Sequence, residues 1–145
     1  MANREPYGDY WRRALSIAKP RPLPIRRGGV PTKPGVYIWF RDGLPIYVGE
    51  ALGAEGLRGR LRTHFAKGSD LSRSTLRATV AAAQLGVDRS VARQRPSIMS
   101  VEHITVVNQW LAACELGWIA CDSPEEAHAW ELSLRDEWLP PLNLV

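Results

Sequence analysis

Residues 34–49, PGVYIWFRDGLPIYVG, constrain the chain more than any other stretch. Two runs rich in aromatic and β-branched residues, 35–40 and 45–49, are parted by Arg41-Asp42-Gly43-Leu44. That pattern reads as a β-hairpin, because Asp-Gly supplies the left-handed conformation a tight turn needs. Alternation puts Val36, Ile38 and Phe40 on one face of the first strand, and Ile46 and Val48 on one face of the second. Directly opposed residues of an antiparallel pair share a face, so the aliphatic sets coincide only if even positions oppose even ones. A two-residue loop would pair odd with even and split the core. A three-residue loop, Arg41-Asp42-Gly43 with Gly43 left-handed, keeps it together. Tyr37, Trp39 and Tyr47 then collect on the opposite face. Tyrosine is a good strand residue and glycine often ends strands, so Gly-Val-Tyr or Tyr-Val-Gly taken alone has an ordinary explanation.

The segment after the hairpin has helical spacing. Leu57, Leu61 and Phe65 form an apolar stripe over 57–66, with Arg60 and His64 four residues apart on its flank and Arg58 and Arg62 close by. The chain has 145 residues, 45% of them hydrophobic, which suits one domain with a modest core. No apolar run is long enough to span a bilayer, and the N-terminus lacks the apolar segment of a signal peptide. A soluble cytoplasmic protein is the expectation. Cys114 and Cys121 make neither a disulfide framework nor a zinc motif, and their apolar surroundings suit buried, inert thiols. The net charge is only +4, but it is unevenly spread: beyond Pro96 there is one arginine, Arg135, against eight acids. A basic lobe facing a phosphate backbone fits that asymmetry, as does a solvated basic surface.

Before the hairpin, residues 5–19 suit an amphipathic helix with Tyr10, Trp11, Leu15, Ile17 and Ala18 as its apolar positions. Pro20, Pro22 and Pro24 then impose an extended arm carrying Arg21, Arg26 and Arg27. The arm reads equally as a contact for nucleic-acid backbone or as a strap over the domain. The expected division is 1–33 for helix and arm, and 34–145 for the domain. After residue 67, Ser72 or Ser74 is placed to cap a helix through Leu76, Val80, Ala83 and Leu85, with Arg73 and Arg77 extending the basic surface. Residues 87–97 read as a basic loop. A helix is expected from about 100–104 to before Gly117, then a short buried strand over 118–121. Ser123-Pro124-Glu125-Glu126 is a strong helix start, and Pro140-Pro141 stops that helix after Trp138. At about 100° per residue, Ala127, Trp130, Leu134 and Trp138 share one stripe, and Glu131 falls inside it. A carboxylate there must be salt-bridged or must hold a metal, because burying it bare costs at least several kcal/mol.

Taken together, Gly35-Val36-Tyr37, Tyr47-Val48-Gly49, Leu57-x-x-Arg60-Leu61-x-x-His64-Phe65 and Glu131 followed by Pro140-x-x-Asn143 resemble the GIY-YIG nuclease domain. The resemblance covers 34–143 and implies an α+β fold, a small three-stranded antiparallel sheet flanked by helices. It also implies hydrolysis of DNA phosphodiesters with one divalent ion, Mg²⁺ or Mn²⁺. Carried over, Tyr37 is the general base or its proton relay. Tyr47 orients the water or holds a phosphate oxygen. Arg60 grips the scissile phosphate, a task suited to its fixed fork of donors. His64 passes the proton onward, Glu131 binds the metal, and Asn143 steadies the glutamate or a metal-bound water. A free phenol ionises near pH ~10, so Tyr37 as a base needs nearby positive charge or an imidazole acceptor.

One departure stands out. Where many members have lysine after Tyr-x-Gly, this chain has Glu50, read either as a surface residue at a strand end or as an extra metal or water contact. Trp39 either packs or stacks on a base, and packing is the simpler reading. His103 and His128 have no recognisable partner and read as surface residues. Backbone contacts are expected from Arg58, Arg62, Arg73, Arg77, Arg26 and Arg27. The expected partner is DNA, with single-stranded and branched forms among the candidates. No membrane partner is expected, and a dimer would allow both strands to be cut. Repair, restriction and mobile-element roles all suit such a domain. The competing function is a non-catalytic nucleic-acid-binding module on the same scaffold.

Overall fold

The computed structural model describes residues 5–23, 25, 27–65, 80 and 101–143, and only the backbone of residues 27, 62–65, 101, 103 and 104. The elements are α1 (Asp9–Ile17), β1 (Arg21–Pro22), a 3-10 turn (Arg27–Gly29), β2 (Gly35–Arg41), β3 (Leu44–Ala51), α2 (Gly56–Phe65), α3 (Val101–Ala112), β4 (Glu115–Ala120) and α4 (Pro124–Glu137). The strands form one antiparallel sheet in the order β1-β4-β2-β3. The fold is the expected α+β architecture with a fourth strand: Arg21-Pro22 pairs with Leu116 and Glu115 at one edge. The proline-rich arm thus acts as a strap at this point, a use the lack of an N–H on Pro22 permits on an edge strand. The expected helix carrying Arg73 and Arg77 and the basic loop at 87–97 lie outside the described residues, except for Val80, which is buried in the core.

The hairpin reaches its expected face pattern by another route. Asp42 and Gly43 both have positive φ, 53° and 79°, and Arg41 pairs with Leu44. The loop is therefore a two-residue turn of the type Asp-Gly favours, not the three-residue loop. That turn does pair Phe40 with Pro45, odd against even. A bulge then restores the parity, so that Trp39 opposes Tyr47, Ile38 opposes Val48 and Tyr37 opposes Gly49. Ile46 is the extra residue. It packs with the tyrosine-side core rather than beside Val48.

Each face of the sheet has its own core. Tyr37, Trp39, Tyr47, Leu57, Leu61, Val107, Leu111 and Leu116 fill one side beneath α2 and α3. Val36, Ile38, Phe40, Val48, Ala127, Leu134 and Trp138 fill the other beneath α4 and α1. Burial of both faces explains why β2 reads as a nearly unbroken apolar run. Cys114 and Cys121 are free, buried thiols, each pushed up to about 11 chiefly by burial.

Two helices cap one another. No side chain of its own caps α1, and the Glu137 carboxylate at the end of α4 accepts from the backbone N–H groups of Tyr10 (3.3 Å) and Trp11 (2.9 Å). In return the buried Trp11 indole N–H donates to the carbonyls of Leu134 (2.8 Å) and Trp138 (3.0 Å) at the C-terminal end of α4. At its other end α4 begins on Ser123, whose side chain accepts from Glu126 N–H at 3.1 Å. The Glu126 carboxylate accepts from Asp122 N–H at 3.1 Å, one residue earlier than in the usual reciprocal box. No helix among the described residues is long and apolar enough to cross a membrane.

Because Trp11 both fills the α1–α4 seam and closes the end of α4, Trp11→Ala is expected to cost about 3–5 kcal/mol. Glu137→Ala, which removes only the cap, is expected to cost about 1 kcal/mol. Urea unfolding followed by circular dichroism distinguishes the two.

Candidate active site

The tyrosines meet as the alternation requires. Tyr37 and Tyr47 stack with ring centroids 6.4 Å apart and ring planes inclined by 27°. Tyr37 lies directly across the strand from Gly49, and a Cβ on Gly49 would overlap the Tyr37 ring and hydroxyl. The glycine is therefore what lets the phenol run over β3 toward the outer edge of the sheet. From α2, whose Leu57 and Leu61 anchor it in the same core, Arg60 hydrogen-bonds the Tyr37 hydroxyl. The segment ahead of β2 aims this helix. Lys33 and Pro31 carbonyls accept from Leu57 N–H (2.9 Å) and Arg58 N–H (3.0 Å), and Val30 carbonyl accepts from Arg58 Nε at 2.9 Å. Beside Arg60 the surface is concave and lined by small residues, among them Gly53, Ala54, Gly56 and Gly59.

The electrostatics determine what these groups can do. Burial, and then Tyr47, push the Tyr37 hydroxyl well above the ordinary phenol value, and Arg60 offsets this only in part. Tyr37 is a neutral phenol in the resting protein. Burial opposes the charge on Arg60, yet Tyr37 and Tyr47 hold the guanidinium above its ordinary value, so it is a permanent cation. Glu131 also acts on Tyr37, which makes Tyr37 the residue that feels both halves of the site.

The second half lies on the α4 side of the sheet. Glu131 is buried among Ala127, Leu134 and their neighbours, as its place on the stripe requires. Arg135, one turn on, donates to its Oε1 at 3.0 Å. Burial nevertheless raises the Glu131 carboxyl above its ordinary value; Arg135 lowers it, and Glu50 raises it by charge and by a hydrogen bond. Ionising Glu131 therefore costs stability as pH rises from the ordinary carboxylate value through its raised folded one. Glu50 faces α4 and meets His128 Nδ1 at 2.8 Å. The imidazole is held above its ordinary value chiefly by that hydrogen bond. One ligand atom each from Glu50, His128 and Glu131 lies within 4.8 Å of the others, and two carboxylates with an imidazole are a donor set divalent ions accept.

His128 has a partner after all, and Glu50 is more than a strand-end residue. The sequence did carry a signal: His128 and Glu131 are three apart on one helix and so share a side. Trp39 is buried and packs, which removes it as a base-stacking surface. Asn143 reaches β3: its Oδ1 accepts from Val48 N–H and its Nδ2 donates to Val48 carbonyl, both at 2.8 Å. The side chains of His64, Arg62 and Arg27, and all of Arg26, Arg73 and Arg77, lie outside the described residues.

A family model described as the GIY-YIG catalytic domain matches residues 35–145. Solved structures similar to the chain include the GIY-YIG N-terminal endonuclease domain of UvrC from Thermotoga maritima, in two tyrosine-to-phenylalanine point mutants bound to the catalytic divalent cation. They are 22% and 24% identical, each match covering 80% of this chain and 88% of that one, with TM-scores of 0.45 and 0.44. No curated protein matches the chain.

Asn143→Ala leaves the buried polar groups of Val48 without the carboxamide, so it is expected to cost about 1–3 kcal/mol in urea unfolding. Asn143→Asp, which keeps an acceptor but loses the donor, should not restore that loss.

Proposed function

The chain belongs to the GIY-YIG catalytic domain family, and from that premise we propose that it is a divalent-metal-dependent DNA endonuclease that hydrolyses phosphodiester bonds. One observation carries the reading. The Tyr37 hydroxyl is bonded by Arg60, flanked by Tyr47 and within electrostatic reach of Glu131. A permanent cation beside two phenols, with a buried carboxylate whose charge acts on the same hydroxyl, suits an anionic phosphate and the water that attacks it.

In this proposal Arg60 would hold the non-bridging oxygens of the scissile phosphate and offset the charge that develops there. Tyr37, neutral at rest, cannot begin as a phenolate. It would instead accept the attacking water's proton on its oxygen while releasing its own, with His64 the proposed acceptor. Tyr47 would orient the water or a phosphate oxygen. Glu131 would hold one Mg²⁺ or Mn²⁺, which when bound supplies electrostatic stabilisation of the leaving oxygen. Arg62, Arg73, Arg77, Arg26 and Arg27 are the proposed contacts to the DNA backbone, with Arg58 sharing its side chain between Val30 and that surface. Asn143 would act at one remove, by fixing the β3 backbone next to Tyr47.

The test is cleavage of plasmid, single-stranded and branched DNA with Mg²⁺ or Mn²⁺. The wild type is expected to cut, and EDTA to abolish cutting. Arg60→Ala, Tyr37→Phe and Glu131→Gln should each lower the rate by roughly 100-fold or more with unchanged circular dichroism. Equal cutting by all four proteins would assign the activity to a contaminant. Salt-dependent DNA binding with no turnover on any substrate would favour the non-catalytic module.

A further inference from the structure

We propose that Glu50, His128 and Glu131 form one three-ligand site, two carboxylates and an imidazole, that takes a first-row transition dication of the Mn²⁺ class in preference to Mg²⁺. The proposal deepens the nuclease reading and rests on it for the ion's purpose. The placement comes from two elements: Glu50 ends the run Tyr47-Val48-Gly49 on β3 and faces α4, where His128 and Glu131 sit three residues apart. Their ligand atoms lie within 4.8 Å of one another.

The packing of the cluster points to a cation. The Glu131 carboxylate, nine-tenths buried, has a second carboxylate, Glu50, within 4.8 Å, and two like charges that close are relieved by a proton or a positive ion. Arg135 compensates Glu131 from one oxygen and stands partly in solvent. Glu50 meets His128 at 2.8 Å. Adjacent ligands of an octahedral ion with bonds near 2.1 Å are roughly 3 Å apart, a spacing Glu50 and His128 already keep and Glu131, within 4.8 Å of both, reaches by a modest side-chain movement. The imidazole sets the preference. Mg²⁺ favours oxygen donors and retains water, whereas nitrogen ligation favours transition dications. A plain ion pair between His128 and Glu50 would not need the buried carboxylate of Glu131 beside it.

Mn²⁺ is the probe, with binding read by electron paramagnetic resonance of free Mn²⁺ and coordination read by nitrogen modulation in the spin echo of the bound ion. The wild type is expected to bind one Mn²⁺ that shows histidine nitrogen modulation, and to require at least about tenfold more Mg²⁺ for displacement. His128→Ala, at a half-exposed side chain, should abolish the modulation and weaken Mn²⁺ binding roughly 10- to 100-fold. Glu50→Gln should weaken binding and keep the modulation. Modulation absent from the wild type or unchanged in His128→Ala would overturn the site, as would equal affinity for the two ions. If DNA is cut while any of these holds, the nuclease reading survives and only this site is lost. Bound Mn²⁺ with the nitrogen signature but no cleavage of any DNA would support the site and sink the nuclease.

Discussion

The passage of the Tyr37 ring over Gly49 is the contact on which the site depends. A phenol in the middle strand of a packed sheet would ordinarily end inside the core, walled off by the side chain opposite. Here the opposite residue has none, so the ring lies over β3 at Gly49 and its buried hydroxyl comes beside Arg60. That requires position 37 to oppose position 49, and the turn by itself would not allow it. The bulge at Ile46 corrects the register between the turn and the tyrosines. Bulge, glycine and phenol are one device, which explains why neither tyrosine-glycine pair is informative alone.

Alternation then divides the chemistry between two faces. Odd positions of β2 and β3 deliver the tyrosines to the α2 side, while Val48 and Glu50 point to α4. The two halves meet around β3, the edge strand. An edge strand presents unpaired peptide groups and invites slippage or foreign pairing. The turn after α4 occupies that edge: Leu142 N–H donates to Ile46 carbonyl at 2.9 Å, and the Asn143 carboxamide pairs with Val48. Pro140-x-x-Asn143 thus closes the strand that carries Tyr47. The bulged residue and the residue after the tyrosine are the two it holds.

Where a residue's role came from periodicity, the sequence was a good guide. The hairpin, the Leu57–Leu61 stripe, the capped start of α4 and the burial of Glu131 all follow from repeat, cap and stop signals. Roles that depend on which distant elements meet were harder to read. Asp-Gly marked where the chain turns, but alternation pointed to a three-residue loop, because the bulge that reconciles a two-residue turn with the face pattern leaves no mark in a run of apolar residues. The pairing of β1 with β4 joins positions about ninety apart, and a two-residue strand containing proline has no strand periodicity to detect. Glu50 and His128 come together only because α4 crosses β3 at the right height, a tertiary fact with no local signature beyond the three-residue spacing of His128 and Glu131.

The position of Glu131 depends in turn on residues far from it in sequence. A carboxylate on the buried stripe of a helix is tolerable only if its partners stay fixed, since a small shift would leave it in apolar surroundings. Arg135 moves with α4 and cannot fix it relative to the sheet. The fixed points are at the helix ends: Cys121 N–H on the Pro34 carbonyl (2.8 Å) just ahead of the start, and the exchange of Trp11 and Glu137 with α1 at the finish. Ala127, Leu134 and Trp138 hold the stripe between them against Val36, Ile38 and Val48. The N-terminal helix therefore bears on the site without touching it, by holding the end of the helix that positions Glu131 beside Glu50 and within reach of Tyr37.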